Sequence, residues 1–128
     1  FTFDAYPETD PNITYTTGWS QRSHAFAMNG GVRATSAANR SAMRTFTGTS
    51  VAWVSTRGAD RGFAQVYIDG VLKATIDLYS PTLQGRRIVF AKTGLTDGPH
   101  TLTITVLDTQ HPNSSGTRVD VDAFVTIE

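Results

Sequence analysis

Residues 63–80 read FAQVYIDGVLKATIDLYS, and this stretch decides the fold. Two runs of alternating apolar and polar residues flank Asp69-Gly70, and this dipeptide is a strong signal for a β-hairpin. Six side chains make one apolar face, namely Ala64, Val66, Leu72, Ala74, Ile76 and Leu78. A hairpin with one apolar face needs a second sheet to cover it, so the sequence predicts a β-sandwich around this hairpin.

The register of the hairpin follows from the two faces. A two-residue loop at Asp69-Gly70 would place Val66 opposite Lys73 and mix the faces. A loop of residues 68–70 places Val66 opposite Leu72 and keeps the faces separate, and a slip of one residue would invert every side chain. The sequence therefore predicts a three-residue loop in which Gly70 takes the left-handed position of a G1 bulge.

Composition limits the class of protein. The chain has 128 residues, with 11 basic and 11 acidic residues, no cysteine and no apolar run of membrane-spanning length. The length suits one domain, residues 1–128. A net charge of zero disfavours nucleic acid and membrane surfaces as partners. Because the chain begins with Phe1, we expect a domain excised from a larger secreted protein.

The rest of the chain also favours strands. Lys and Glu are scarce while Thr, Ser and Gly are abundant, which opposes helix formation. Besides the hairpin, strands are predicted at residues 1–6, 13–19, 32–36, 42–46, 50–55, 86–91, 100–107 and 118–127. Many short strands separated by turns indicate an all-β fold, here an antiparallel β-sandwich of jelly-roll type, with an up-and-down barrel as the alternative. Val66 and Trp53 are predicted core residues.

Seven segments along the chain resemble a known fold family. They are ITYTTGW, GGVRATS, FTGTSVAWVS, GFAQVYIDG, DLYS, GPHTLTITV and VDVDAFV. Together they resemble galactose-binding-domain-like jelly rolls, including carbohydrate-binding modules of secreted bacterial enzymes and the jelly-roll accessory domain of GDSL-type carbohydrate esterases. The resemblance implies a non-catalytic carbohydrate-binding module attached to a catalytic domain.

The loops predict where such a module would bind. If successive strands run antiparallel, the loops at residues 36–40, 56–62, 80–87 and 108–117 fall at one end of the sandwich. Arginine forks and carboxamides on loops suit recognition of hydroxyl or carboxylate oxygens. The candidate carbohydrate-binding residues are Arg40, Arg57, Asp60, Arg61, Tyr79, Gln84, Arg86, His111 and Asn113, and Arg87 lies on the same rim.

A second candidate site lies at the loop of residues 20–31, which the same parity places at the opposite end. It comprises Trp19, Arg22 and His24, although Trp19 could instead cap the core. Carbohydrate modules usually stack sugars on aromatic rings, and the predicted rim offers only Tyr79. An arginine-bearing rim with one aromatic ring predicts a short or acidic glycan.

The sequence contains no recognisable catalytic constellation. It has no Gly-x-Ser-x-Gly, no His-Glu-x-x-His and no glycine-rich phosphate loop, so we expect no enzymatic activity. Asp120 and Asp122 are interpreted as a solvated charged ladder beside Arg118, and His100 as structural. The alternative function is an accessory or adhesion domain that binds protein, with Phe1, Phe3, Phe63 and Phe124 as candidates for an exposed apolar patch.

No cofactor is predicted, although the resemblance allows a structural calcium ion. Calcium requires several hard oxygen ligands. The acidic candidates are Asp4, Glu8, Asp10, Asp108, Asp120 and Asp122, which have no diagnostic spacing.

Overall fold

The computed structural model describes residues 3–127, and these residues contain strands and no helix. The strands are β1 (Phe3–Pro7), β2 (Thr14–Tyr15), β3 (Ser20–Ser23), β4 (Gly31–Thr35), β5 (Ser41–Thr47), β6 (Ser50–Arg57), β7 (Phe63–Ile68), β8 (Val71–Asp77), β9 (Gln84–Lys92), β10 (Pro99–Val106), β11 (Val119–Val121) and β12 (Ala123–Ile127). They form antiparallel sheets with the orders β1-β12-β6-β9, β2-β5-β10-β7-β8 and β11-β4-β3. The predicted antiparallel sandwich is confirmed.

The hairpin forms β7 and β8 at the centre of the chain, but its turn differs from the predicted one. Ile68 pairs with Val71, so the loop has two residues, and Asp69 (φ 53°) and Gly70 (φ 78°) are both left-handed as a type I′ turn requires. The three-residue loop was therefore wrong.

A bulge restores the separation of the two faces. Val66 pairs with Ala74 while Tyr67 pairs with Leu72, which leaves Lys73 as the extra residue in β8. Val66 consequently faces the core, whereas Leu72, beyond the bulge, is 48% exposed. The prediction that Leu72 belongs to the apolar face was wrong because the bulge lies between it and the rest of that face.

The core lies between the four-stranded and five-stranded sheets. Trp53 and Phe124 from one sheet and Val66 and Ile104 from the other are each 0% exposed and belong to one apolar cluster. The predicted core positions of Val66 and Trp53 are confirmed. Of the phenylalanines considered for an exposed patch, Phe124 is in this core and Phe63 is half-buried. Phe1 and the side chain of Phe3 lie outside the described part of the structure.

The last predicted strand is two strands in different sheets. β11 pairs with β4 and β12 pairs with β6, and the chain crosses between sheets at Asp122. The backbone N–H of Asp122 donates to Val54 O at 3.0 Å. Asp120 and Asp122 are both 0% exposed, so the predicted solvated ladder was wrong.

The N-terminal third also differs from its prediction. β1 forms within the predicted strand of residues 1–6 and lies at the edge of its sheet, but the predicted strand at residues 13–19 is reduced to Thr14–Tyr15. The predicted long connection after Trp19 contains β3, which pairs with β4. None of the described residues forms a helix long and apolar enough to cross a membrane.

Candidate functional site

The four predicted rim loops meet at one end of the sandwich. Thr117 Oγ1 donates to Ser36 O at 3.0 Å, which joins the last loop to the first. Ser114 Oγ donates to Arg61 O at 2.6 Å, and a Cβ on Gly58 would lie 3.5 Å from Leu83. The loop of residues 24–30 lies here as well, because Arg86 Nε donates to Phe26 O at 3.2 Å. Placing that loop at the opposite end was wrong.

Two adjoining depressions share Leu83, and we call them together the Leu83 cleft. One, of about 450 Å³, is lined by Arg22, Ser23, His24, Gly58, Ala59, Asp60, Arg61, Leu83 and Arg118. The other, of about 460 Å³, is lined by Ala25, Phe26, Leu83, Gln84, Gly85, Arg86 and Arg87. Residues of both predicted sites therefore line one cleft.

The apolar part of the cleft consists of two exposed side chains, Phe26 (59% exposed) and Leu83 (55% exposed). Gly85 lets β9 approach the Phe26 loop, since a Cβ at Gly85 would lie 2.4 Å from Phe26 Cβ. Arg86, with φ 54°, also donates to Ala27 O at 3.4 Å and so binds the backbone of this loop twice. Left-handed backbone at a non-glycine residue is uncommon, and here these hydrogen bonds hold it. The exposed aromatic ring is therefore held on a braced loop.

The floor of the cleft is a buried charge network around Asp120. Arg118 binds this carboxylate through two hydrogen bonds, from Nε at 2.7 Å and from an Nη at 3.1 Å. Arg61, only 3% exposed, donates to it at 3.1 Å, and Thr56 Oγ1 donates at 2.6 Å. Arg61 also pairs with the more exposed Asp60. Because its donors are committed to these partners, Arg61 supports the cleft more than it reaches outward.

His24 braces the Phe26 loop beside one of the two depressions. Its Nδ1 accepts the backbone N–H of Phe26 at 3.2 Å. Nε2 of His24 is buried and has no hydrogen-bond partner among the described residues, and its burial keeps it out of reach of a ligand in the depression. The His24 ring therefore supports the loop and is not a ligand donor.

Several predicted site residues lie elsewhere. Arg40 donates to Thr17 Oγ1 at 3.0 Å, and the Arg57 guanidinium donates to Asp77 O. Tyr79 and His111 stack on each other, with centroids 4.6 Å apart and planes 9° apart, and the Asn113 N–H donates to His111 Nδ1. Trp19 packs beside Tyr15 against the core, which matches the capping alternative. Tyr79 stays beside the loop of residues 57–61 through its bridge to Gly58, but of the predicted rim only Asp60 and Arg61 line the Leu83 cleft, and Arg57 and Tyr79 do not.

Phe26, Leu83 and Arg118 line the cleft with large side chains but were not among the predicted site residues. Phe26 stands two positions after His24, a candidate already chosen, and that proximity was the available signal. Leu83 lies in a predicted rim loop but was passed over because apolar loop residues carry no chemical motif. Arg118 was read only as part of the ladder on the last strand.

The six acidic calcium candidates do not come together. Asp120 is engaged by two arginines, and Asp10 faces Arg44 at 3.7 Å. Glu8 and Asp122 are buried near each other, and burial, with a smaller contribution from Glu8, raises the pKa of Asp122 to about 6. Within residues 3–127 no group of three His, Asp or Glu side chains is placed to share an ion. A calcium ion at Glu8 and Asp122 would need backbone carbonyls for most of its ligands.

Comparisons with known proteins support the same architecture. No protein-family model matches the chain. The A type blood N-acetyl-alpha-D-galactosamine deacetylase of Flavonifractor plautii is 31% identical over 97 residues, which are 76% of this chain and 12% of that enzyme. The chain thus spans about an eighth of the length of this curated relative.

Several solved structures match nearly the whole chain at low sequence identity. A family 35 carbohydrate-binding module from Clostridium thermocellum has a TM-score of 0.67 at 11% identity, over 98% of this chain and 97% of the module. The fold is therefore a β-sandwich of jelly-roll type, as in this module. A two-domain esterase active on acetylated mannans contains a similar jelly roll, with a TM-score of 0.71 at 13% identity over 98% of this chain and 36% of the esterase. The resemblance predicted from the sequence is confirmed as a fold.

Proposed function

We propose that the chain is a non-catalytic carbohydrate-binding module of a longer secreted bacterial enzyme, and that it binds a short or acidic glycan in the Leu83 cleft. The observation that carries the proposal is that the exposed Phe26 ring lines one depression with Arg86 and Arg87, and that Asp60 lines the adjoining depression of the same cleft. A ring beside forked donors and an acceptor matches a sugar, which has an apolar face and a polar edge. Whole-chain similarity to a carbohydrate-binding module supports this role.

The charge of the cleft favours an acidic sugar. Five arginines and one aspartate line the two depressions, and the buried Asp120 beneath them leaves an excess of positive charge. Arg22 and Arg87 are exposed, so their charges face solvent and an incoming ligand. A carboxylate-bearing sugar should therefore bind more tightly than a neutral one, and a sugar with a free amine should bind least.

The experiment is calorimetric titration of the chain with three galactose-type oligosaccharides of equal length. One carries galacturonate, one N-acetylgalactosamine and one galactosamine, and the name of the curated relative motivates the second and third. We expect micromolar to millimolar dissociation constants because a solvent-exposed cleft must displace water. We expect the galacturonate ligand to bind best, with affinity that falls as salt rises.

Matched variants locate the site. Phe26→Ala and Arg87→Ala should weaken binding about tenfold or more through loss of stacking and of a charged donor. Val71→Ala and Lys92→Ala remove an exposed apolar and an exposed cationic side chain outside the cleft and should leave affinity unchanged. Binding that survives Phe26→Ala and Arg87→Ala, or that is absent for all three glycans, would contradict the proposal.

One observation favours an alternative, an accessory domain that packs on a catalytic domain or another protein. Phe26, Met28, Leu83 and Ile88 are all more than 40% exposed, and Phe26 and Leu83 line a common depression. Exposed apolar clusters of this kind often mark protein interfaces. If Phe26→Ala leaves glycan binding intact but weakens association with the adjoining domain of the full-length protein, the alternative replaces the glycan proposal.

A further inference from the structure

A small polar pocket adjoins the Leu83 cleft on the sheet that β3, β4 and β11 form. Its volume is about 150 Å³, and its side chains include Ser20, Arg22, Ala34, Thr35, Ser36 and Arg118. We call it the Arg22 pocket. Arg22 and Arg118 line the cleft as well, so the pocket lies directly beside it. Small-molecule sites usually have about 300–1,000 Å³, so this pocket suits one functional group of a larger ligand.

The pairing of the strands places an arginine on each side of the pocket. Ala34 in β4 pairs with Ser20 in β3 and with Asp120 in β11, so these three residues share one face of the sheet. Arg22 is two residues from Ser20, and Arg118 is two residues from Asp120, so both arginines lie on that face. Ala34 is 3% exposed and has no side chain beyond Cβ, which leaves space between the two arginines.

The pocket retains hydrogen-bond donors that the protein itself does not use. In the described part of the chain, Arg22 donates only through Nε, to Ser20 Oγ at 3.2 Å, so both of its terminal nitrogens are free. Arg118 binds Asp120 through Nε and one Nη, and its other Nη has no partner among the described residues. Thr35 Oγ1 accepts a backbone N–H at 3.2 Å, which leaves its O–H proton available. Free donors therefore line the pocket on three neighbouring segments of the sheet.

The charge balance of the pocket favours an anion. The charged residues described in its lining are Arg22 and Arg118, and none of the described lining residues is acidic. The carboxylate of Asp120 lies beneath them, 0% exposed and already bound by Arg61 and Arg118. Asp60 pairs with Arg61, so two carboxylates offset two of the three arginines and the charge of Arg22 remains.

We propose that the Arg22 pocket binds a tetrahedral oxyanion group, a sulfate or phosphate ester, of the glycan that occupies the Leu83 cleft. The inference rests on the proposed function and names the acidic group that the glycan carries. A carboxylate presents two oxygens in one plane and matches a single guanidinium fork, whereas a sulfate or phosphate ester presents three oxygens in different directions. Donors from β3, from β4 and from Arg118 at the start of β11 suit those three directions.

The test is calorimetric titration of the chain with a galactose disaccharide in plain form and with one sulfate or one phosphate ester at O3, O4 or O6. The matching galacturonate disaccharide is the carboxylate comparison. We expect at least one ester to bind about tenfold or more tightly than both the plain and the galacturonate ligands. This advantage should fall as salt rises, because it comes from charge. The ester that binds best identifies whether the oxyanion is sulfate or phosphate.

Matched variants test the pocket separately from the cleft. Ser36 is exposed and lines the pocket but neither depression of the cleft, so Ser36→Asp adds a carboxylate to the pocket without burying it. Ser36→Asp and Arg22→Gln should each reduce the advantage of the best ester over the plain ligand to about twofold or less. Val71→Asp adds the same charge at the exposed hairpin tip, and Arg33→Gln removes an arginine that lies over the Tyr15 ring outside the pocket. Both controls should keep the advantage of the ester.

The outcomes separate this inference from the proposed function. If the plain or galacturonate ligand binds and Phe26→Ala weakens it, but no ester binds more tightly than both, the pocket assignment is overturned and the proposed function stands. An ester advantage that survives both Ser36→Asp and Arg22→Gln would also overturn the pocket. Binding of none of the ligands would overturn both proposals. Circular dichroism melts identify any variant that is not folded, and the exposed Ser36→Asp decides if Arg22→Gln is lost in this way.

Discussion

Burial gives the arginines at the loop end different roles. Arg61 is 3% exposed and binds Asp60, Thr56 and the buried Asp120, whereas Arg87 is exposed at the edge of the cleft. A buried guanidinium needs all its partners because desolvation is costly. From the sequence both are arginines in polar loops, and only their surroundings separate a structural charge from a charge that meets a ligand.

Replacing Arg61 should therefore destabilise the fold rather than simply remove a ligand contact. Arg61→Ala breaks a buried ion pair, which typically costs about 3–5 kcal/mol of unfolding free energy. Chemical denaturation measures this directly, and Arg87→Ala, at an exposed site, should change the value by no more than about 0.5 kcal/mol. Equal stabilities of the two variants would show that the Asp120 network contributes little.

The pair His100 and Asp69 predicts a pH dependence of stability. His100 Nδ1 lies 2.6 Å from Asp69 Oδ2, and His100 Nε2 lies 2.6 Å from Thr96 O. Both hydrogen bonds raise the pKa of His100, and the bond to Asp69 has the larger effect. The hydrogen bond from His100 lowers the pKa of Asp69. His100 therefore stabilises the fold fully below about pH 6.5, its unfolded pKa, and this stabilisation is lost as pH rises through the folded pKa. The stabilisation that comes from the Asp69 carboxylate is lost as the pH falls below the usual pKa range of an aspartate and through the lowered pKa of Asp69.

The measurement is the urea midpoint of the parent and of His100→Gln at pH 5 to 9. We expect the advantage of the parent to be largest near pH 5 to 6 and to shrink as pH rises. His111→Gln is the matched control, because His111 has no carboxylate partner among the described ion pairs. A parent advantage that grows with pH would mean that His100 is neutral in the folded state.

At the scale of elements, two features of the hairpin, its turn and its bulge, together set the pairing of β7 with β8. The type I′ turn follows the Asp69-Gly70 signal, and the bulge at Lys73 returns the strands to the face pattern that the core demands. The bulge also ends the buried run of β8, so Leu72 faces solvent on the outer side of the sheet. The extra residue, Lys73, therefore separates the buried part of β8 from its exposed part.

Substitution of Gly70 tests the backbone conformation of the turn without changing side-chain packing. Its φ is 78°, and a Cβ there would have open space within 4 Å, so any effect of substitution is a backbone effect. Gly70→Ala should cost about 1–2 kcal/mol of unfolding free energy, the usual penalty for left-handed backbone. Gly70→Asn should cost less, because asparagine tolerates this conformation. Equal denaturation midpoints for Gly70→Ala and the parent would contradict the type I′ turn.

At the scale of the whole molecule, one core supports the loops of the Leu83 cleft. The sandwich packs Val66 from the hairpin against the opposite sheet, and the strands of both sheets carry the cleft loops at their ends. The cleft draws its lining from three segments, residues 22–26, 58–61 and 83–87, together with Arg118. The cleft therefore depends on the correct packing of the two sheets.

Val66→Asp should show this dependence. A carboxylate placed at a position that is 0% exposed, without a partner, should cost several kcal/mol, a large part of the stability of a small domain. Thermal melting followed by circular dichroism should show a much lower transition, and glycan binding in the Leu83 cleft should disappear with it. Val71→Asp at the exposed hairpin tip is the control and should melt with the parent. A melting temperature of Val66→Asp within a degree or two of the parent would place Val66 outside the core.

The sequence by itself determined the sandwich, the hairpin with its core face and the set of loops that meet at one end. These properties depend on the alternation of apolar and polar residues and on turn residues, which are local features of the sequence. Only the tertiary structure decided the rest. It placed the loop of residues 24–30 beside the rim, split the last strand at Asp122, buried Arg61 and Asp120 together, and set Phe26 rather than Tyr79 in the cleft. These outcomes depend on crossings between sheets and on contacts between residues such as Arg86 and Phe26, which are distant along the chain and leave no periodic pattern in it.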